Sequence, residues 1–223
     1  MAVIACFGLI SAACSGREPP DGGDFDATLG DAISERTDVL RLDIQYFDVL
    51  DVPDDVPIFE DAACGANFRR HDEDPGMHLP PDADLRWPTN PPSSGPHYED
   101  PARWGIYHSV VPRGNWVHSI EHGGVAVLYR CSGACETLRA QLEAFVRALP
   151  PEPICVGGEF ARRVLLTEDP LIDTMVAAAA WGWTYRADCF DAASLAAFVQ
   201  RRTGRGPKSS CTGGTYPPIG SDM

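Results

Sequence analysis

This chain lacks any apolar run of the roughly 20 residues that a membrane-spanning helix needs, and it is poor in cations. Its 223 residues carry 18 Lys and Arg against 32 Asp and Glu, a net charge of −14. The imbalance sits in the first half: residues 15–100 hold 21 acidic and 6 basic side chains, whereas residues 101–223 hold 11 and 12. Nucleic acid and anionic membrane surfaces both demand clustered cations, so neither is expected as a partner. Internal repeats are missing, and so is the C-x-x-C spacing of redox and zinc motifs. Beyond residue 122 there is no histidine at all.

What is present begins with the N-terminus. In "MAVIACFGLISAACSG" a short apolar run, residues 2–13, ends in small residues before Cys14. This reads as a secretory leader. Ser11, Ala12, Ala13 and Cys14 resemble a bacterial lipobox, whose cysteine carries the lipid, although Ser11 stands where leucine is preferred and no Lys or Arg precedes the run. The expectation is an exported protein of the periplasm or outer cell envelope, held to the membrane by a lipid on Cys14. Cysteine usage agrees. With Cys6 in the leader, six remain: Cys64, Cys131, Cys135, Cys155, Cys189 and Cys211. An even number in an exported domain reads as disulfides. The C-x-x-x-C pair suggests a local bridge between Cys131 and Cys135. For the other four, Cys155 with Cys189 and Cys64 with Cys211 are the working guess.

The chain then divides into a leader (1–14), a flexible acidic Gly- and Pro-containing tether (15–37), one globular domain (38–216) and a short tail (217–223). Residues 38–64 suggest short strands broken at Pro53 and Pro57. Residues 65–116 are rich in proline, which rules out long helices and central strands there. Trp87, Tyr98 and Trp104 can anchor this stretch as an ordered binding loop. Regular patterning starts at Gly123. "GGVAVLYRC" suits a buried strand, and "CETLRAQLEAFVRALP" has Leu138, Leu142, Phe145, Val146 and Leu149 at helical spacing. "ARRVLLTED" is a second strand and "MVAAAAWGWTYRAD" a third. "DAASLAAFVQRRTG" is a helix with Asp191 as N-cap and Gly204 past its end. The predicted fold class is α+β: a single mixed sheet with helices packed on it, a β-α-β-β-α core preceded by a long Pro-rich loop region. The first β-α-β would be a parallel crossover, and the next two strands antiparallel.

All six histidines fall between 71 and 122, in or beside the Pro-rich region. Within "VHSIEHGGVAVLY", His118 to His122 spell H-x-x-E-H, the signature of some zinc peptidases. That chemistry needs a long helix, and here the segment is boxed between Gly114 and the pair Gly123 and Gly124. A zinc hydrolase with Glu121 as base is therefore the last of three readings. The first is a metal site: His118 and His122 close together on one turn, His97 closing over them from "SSGPHY", and His78 as a fourth candidate. Imidazoles suit copper, zinc or iron, and a thioether from Met77 or Met175 would tilt the choice toward copper(I), with copper favoured over zinc. Glu121 could be a ligand, a partner holding an imidazole tautomer, or a proton acceptor. The second reading is a metal-free envelope interaction module whose histidines brace a rigid loop. Gly123 and Gly124 call for a positive φ or close packing.

"NPPSSGPHY", "VHSIEHGGVAVLY" and "AAAAWGW" resemble the hallmark segments of a bacterial family known as domain of unknown function 3105. The resemblance covers roughly residues 65–205. It implies an exported or membrane-attached protein without an assigned activity. It also implies a histidine set at His97, His118 and His122, with His78 upstream and Met175 before the Ala-Trp-Gly segment. Such a set looks like a copper site with His and Met ligands.

Overall fold

The chain divides into two units, Met1–Phe47 and Asp48–Met223. The computed structural model describes residues 63–133, 135–155 and 160–217, all within the second. The leader with Cys14, the acidic tether, the strands expected before residue 63 and the tail beyond 217 lie outside the described residues. No helix among the described residues is long and apolar enough to cross a membrane.

Among the described residues there are eight strands and three α-helices. They are β1 (Asn67–Arg70), β2 (His78–Leu79), β3 (His97–Tyr98), β4 (Gly105–Ile106), α1 (Arg113–Glu121), β5 (Val125–Tyr129), α2 (Glu136–Ala148), β6 (Val164–Glu168), β7 (Val176–Ala180), β8 (Trp183–Ala187) and α3 (Ala192–Arg202). Six strands form one mixed sheet in the order β1-β8-β7-β5-β6-β4, and β2 pairs with β3 in a separate parallel ribbon. The α+β class with a mixed sheet is thus what the chain adopts. β5 and β6 are parallel neighbours joined through α2, as a β-α-β crossover requires. The segment from 175 to 188 is not one strand but a hairpin. Trp181 and Gly182 make its turn, and Gly182 takes the positive φ of 73° that glycine permits. β7 runs antiparallel to β5 rather than to β6, so it lies on the other side of β5 from the crossover.

The central strands β5 and β7 are buried along their whole length, which is why they read as continuous apolar runs rather than alternating ones. Ala126, Leu128, Leu165, Ala177 and Ala179 form one face with Trp116, Val117 and Ile120 of α1, and with Trp104, Tyr107 and Trp181. Four consecutive alanines in β7 (177–180) go against strand propensity. Two of them, Ala177 and Ala179, join that cluster, where a small strand side chain leaves room for Trp116 and Trp181. On α2, Leu142, Phe145 and Val146 are buried, and on α3 Leu195, Phe198 and Val199. α2 packs on β6 and α3 on β8. Asp191 caps α3 by accepting from the Ala193 N–H, and Gly204 follows it at φ 85°.

Both backbone expectations at the glycine pair hold. Gly123 has φ 86°, and Gly124 lies so close to Trp104 that any side chain there would run into the indole. The Pro-rich loop is packed, not loose. Residues 91–95 are buried, Trp87 donates to the Pro96 carbonyl, Tyr98 to that of Ala83 and Trp104 to that of Thr212.

The disulfides are Cys131–Cys135, Cys64–Cys189 and Cys155–Cys211. The local bridge is the one expected. The working guess for the other four cysteines is wrong, with partners exchanged, and the sheet explains why. Cys64 immediately precedes β1 and Cys189 follows β8. These strands pair antiparallel with Asn67 opposite Arg186, so the ends carrying the two cysteines meet. That contact depends on a strand order which cysteine spacing cannot reveal.

Candidate metal centre

Two pieces of local structure build the centre. In the β2-β3 ribbon, His78 sits directly opposite His97 in register. Two backbone bonds fix the ribbon, His97 N–H to Met77 O at 2.9 Å and Glu99 N–H to Leu79 O at 3.1 Å. The other piece is α1, which packs against β3 and presents His118 and Glu121, three residues apart and therefore on one helix face. The rings of His78, His97 and His118 form a triangle with centroids 4.5–4.9 Å apart. One donor atom from each, with one carboxylate oxygen of Glu121, all lie within 4.8 Å of one another. His97, His118 and Glu121 are buried, and His78 opens the group to solvent.

The hydrogen bonds orient the imidazoles. Nδ1 of His97 lies 2.9 Å from the Gly95 carbonyl, and Nδ1 of His118 lies 2.7 Å from the Tyr98 carbonyl. A carbonyl oxygen only accepts, so both Nδ1 atoms carry the proton and both neutral rings turn an Nε2 lone pair toward the cluster. His97 Nε2 is buried without a hydrogen-bond partner, and 3.3 Å away sits Glu121 Oε2, likewise buried and unbonded. Two acceptors that close, out of water, need a shared cation. Burial pushes the imidazoles of His97, His118 and His122 below their ordinary value, His118 down to about 4. A proton is thus poorly suited to that role, and a metal ion fits it. Three imidazole nitrogens and one carboxylate oxygen can hold such an ion.

The remaining sequence candidates fall elsewhere. His122 caps α1 and its ring stands perpendicular to His118 at 4.8 Å, yet it lies outside the four-atom group. The H-x-x-E-H stretch therefore offers His118 and Glu121, not its two histidines, as the pair on the cluster face. Met175 is not at the centre. It precedes β7 and bonds through its carbonyl to the Arg130 N–H, 42% exposed. Trp181, the residue that touches His97 edge-on, is at the other end of β7, about 20 Å away at a strand's rise per residue. Met77 is adjacent to His78 but exposed. The thioether argument for copper thus loses Met175. Two elements escaped the sequence reading. A side chain on Gly76 would collide with the Glu121 carboxylate, so the chain enters β2 across the acid itself. Lys208, far along the sequence, has its Nζ 3.0 Å from Glu121 Oε2 and 3.3 Å from His78 Nε2.

A family described as "Protein of unknown function (DUF3105)" matches residues 78–213, a span that contains the whole centre. No curated protein and no solved structure matches the chain.

Proposed function

Because the chain belongs to the DUF3105 family, whose description names no activity, the function has to be read from the centre, and we propose that this is a metal-binding protein of the bacterial cell envelope. The ion would be held by Nε2 of His97 and His118, by His78 and by Glu121. The observation that carries this reading is the buried pair of acceptors, His97 Nε2 and Glu121 Oε2, facing each other at 3.3 Å, with no hydrogen-bond partner for His97 Nε2 and only the half-exposed Lys208 ammonium beside Glu121 Oε2. Copper remains the favoured ion, now as copper(II). Without Met175 in the donor set, the preference rests on the affinity order of divalent ions at nitrogen and oxygen ligands, which peaks at copper and places zinc below it. Three disulfides support an oxidising compartment, and the leader with Cys14 supports export and lipid anchoring.

The test is elemental mass spectrometry of the full chain, exported to an oxidising compartment without a histidine tag, beside a His97→Ala/His118→Ala variant. Near one copper per chain, absent from the variant, is the expected result. Zinc in the same ratio would replace copper in the proposal. No ion after dialysis against both would overturn it and leave the histidines as braces of a binding loop. Lipid on Cys14 is checked separately, by intact mass of the mature chain extracted from membranes with detergent.

A further inference from the structure

We propose that Lys208 is an internal cation that neutralises the centre in the metal-free protein and is displaced when the metal ion enters. The inference rests on the metal-binding reading and concerns how the same centre is kept while unloaded. Its ammonium donates to His78 Nε2 at 3.3 Å and lies 3.0 Å from Glu121 Oε2. Two of the four donors are therefore turned to this nitrogen. A carboxylate 3% exposed with no opposite charge would be costly to bury. Lys208 supplies that charge from a side chain that is itself half exposed, so solvent is open to it when it withdraws.

The placement is built rather than incidental. The Lys208 N–H donates to the carbonyl of Glu121, the residue whose carboxylate its own ammonium meets, and Ser210 N–H donates to the carbonyl of His122. Arg163, 1% exposed, clamps the same junction through one guanidinium nitrogen, which donates to His122 O, Ser209 Oγ and Ser210 O. Its other groups pair with Glu152. The Cys155–Cys211 bridge fastens the end of the segment. Composition points the same way. Lys208 is the only lysine in a chain that uses arginine 17 times. An ammonium is a compact charge on a flexible stem, whereas a guanidinium is a rigid fork, and a compact charge is what can stand in for an ion between two donors and then withdraw.

The full chain and its Lys208→Met variant separate the possibilities by chelator-competition titration with Cu²⁺ and with Zn²⁺. Loss of the competing cation should tighten binding in Lys208→Met by about tenfold, the scale of a hydrogen bond to a charged group. Acylation by a water-soluble amine reagent, followed by peptide mass spectrometry, gives an independent readout at this single lysine. Modification should be several-fold faster in the metal-loaded wild type than in the metal-free form. Wild-type binding with equal or weaker affinity in Lys208→Met, or reactivity unchanged by metal, would overturn the displacement while leaving the metal centre standing. Failure of both wild type and variant to bind either ion would overturn the metal reading and this inference with it.

Discussion

His118 shows how one side chain can be tuned for a ligand. Desolvation is the main cause of its lowered value, followed by the neighbouring His97, while the bond to the Tyr98 carbonyl works against them. Its folded value of about 4 lies below the ordinary 6.5, so between these the unfolded chain binds a proton that the folded chain refuses. Stability from this group is complete above pH 6.5 and is lost as the pH falls toward 4. Urea titrations of the metal-free protein at pH 7.5 and 5.0 should show the drop, and His118→Asn should reduce it. A variant with the wild-type slope would assign the acid sensitivity to other groups. The same depression keeps the lone pair available for metal in mildly acidic solution, where an ordinary histidine is already half protonated. Truncating His97 or His118 should abolish the stoichiometric ion, whereas Met175→Ala should leave it in place, since Met175 stands at the far end of β7.

At the level of elements, much was legible and what was missed has a common cause. Asp191, the helical period in 136–148 and the stop at Pro150 are local signals, and α2 and α3 formed where they pointed. The break at Trp181 and Gly182 was hidden because four alanines and two tryptophans look alike on either side of a two-residue turn. The histidine clustering revealed the centre, and α1 is about as short as its flanking glycines implied. Which atoms converge was not legible, because His78 meets His97 through strand pairing across 19 residues and Lys208 arrives from 87 residues beyond Glu121. Two glycines give tests of this packing. Gly124→Ala forces a methyl against the Trp104 ring, and overpacking of that kind costs about 1–3 kcal/mol, read as a lowered urea midpoint with metal-free protein. Gly76→Ala pushes instead on the Glu121 carboxylate. It should weaken metal binding by more than it lowers stability, and the reverse order would mean that Glu121 is not a ligand.

At the scale of the whole molecule, the three bridges among the described residues and one ion would share the task of holding distant segments together. Non-reducing peptide mapping should recover the pairs Cys64–Cys189, Cys131–Cys135 and Cys155–Cys211, and an exchanged pair would contradict the β1-β8 edge. Replacing Cys64 and Cys189 together by alanine removes a loop closure of 125 residues and should cost about 2–5 kcal/mol. Metal at a hundredfold excess over its dissociation constant should add about 2.7 kcal/mol, visible as a raised unfolding temperature that His118→Ala no longer shows.

The ring triangle and its carbonyl tethers also decide what the centre ignores. Two of its three nitrogens are turned inward by backbone oxygens, and the group offers one carboxylate oxygen beside its three imidazoles. Calcium asks for six to eight oxygens and magnesium for an octahedron of them that is mostly water. On the proposed reading both would be refused by chemistry rather than by exclusion, and a transition-metal ion would be picked out of hard water by a surface that leaves the hardness behind.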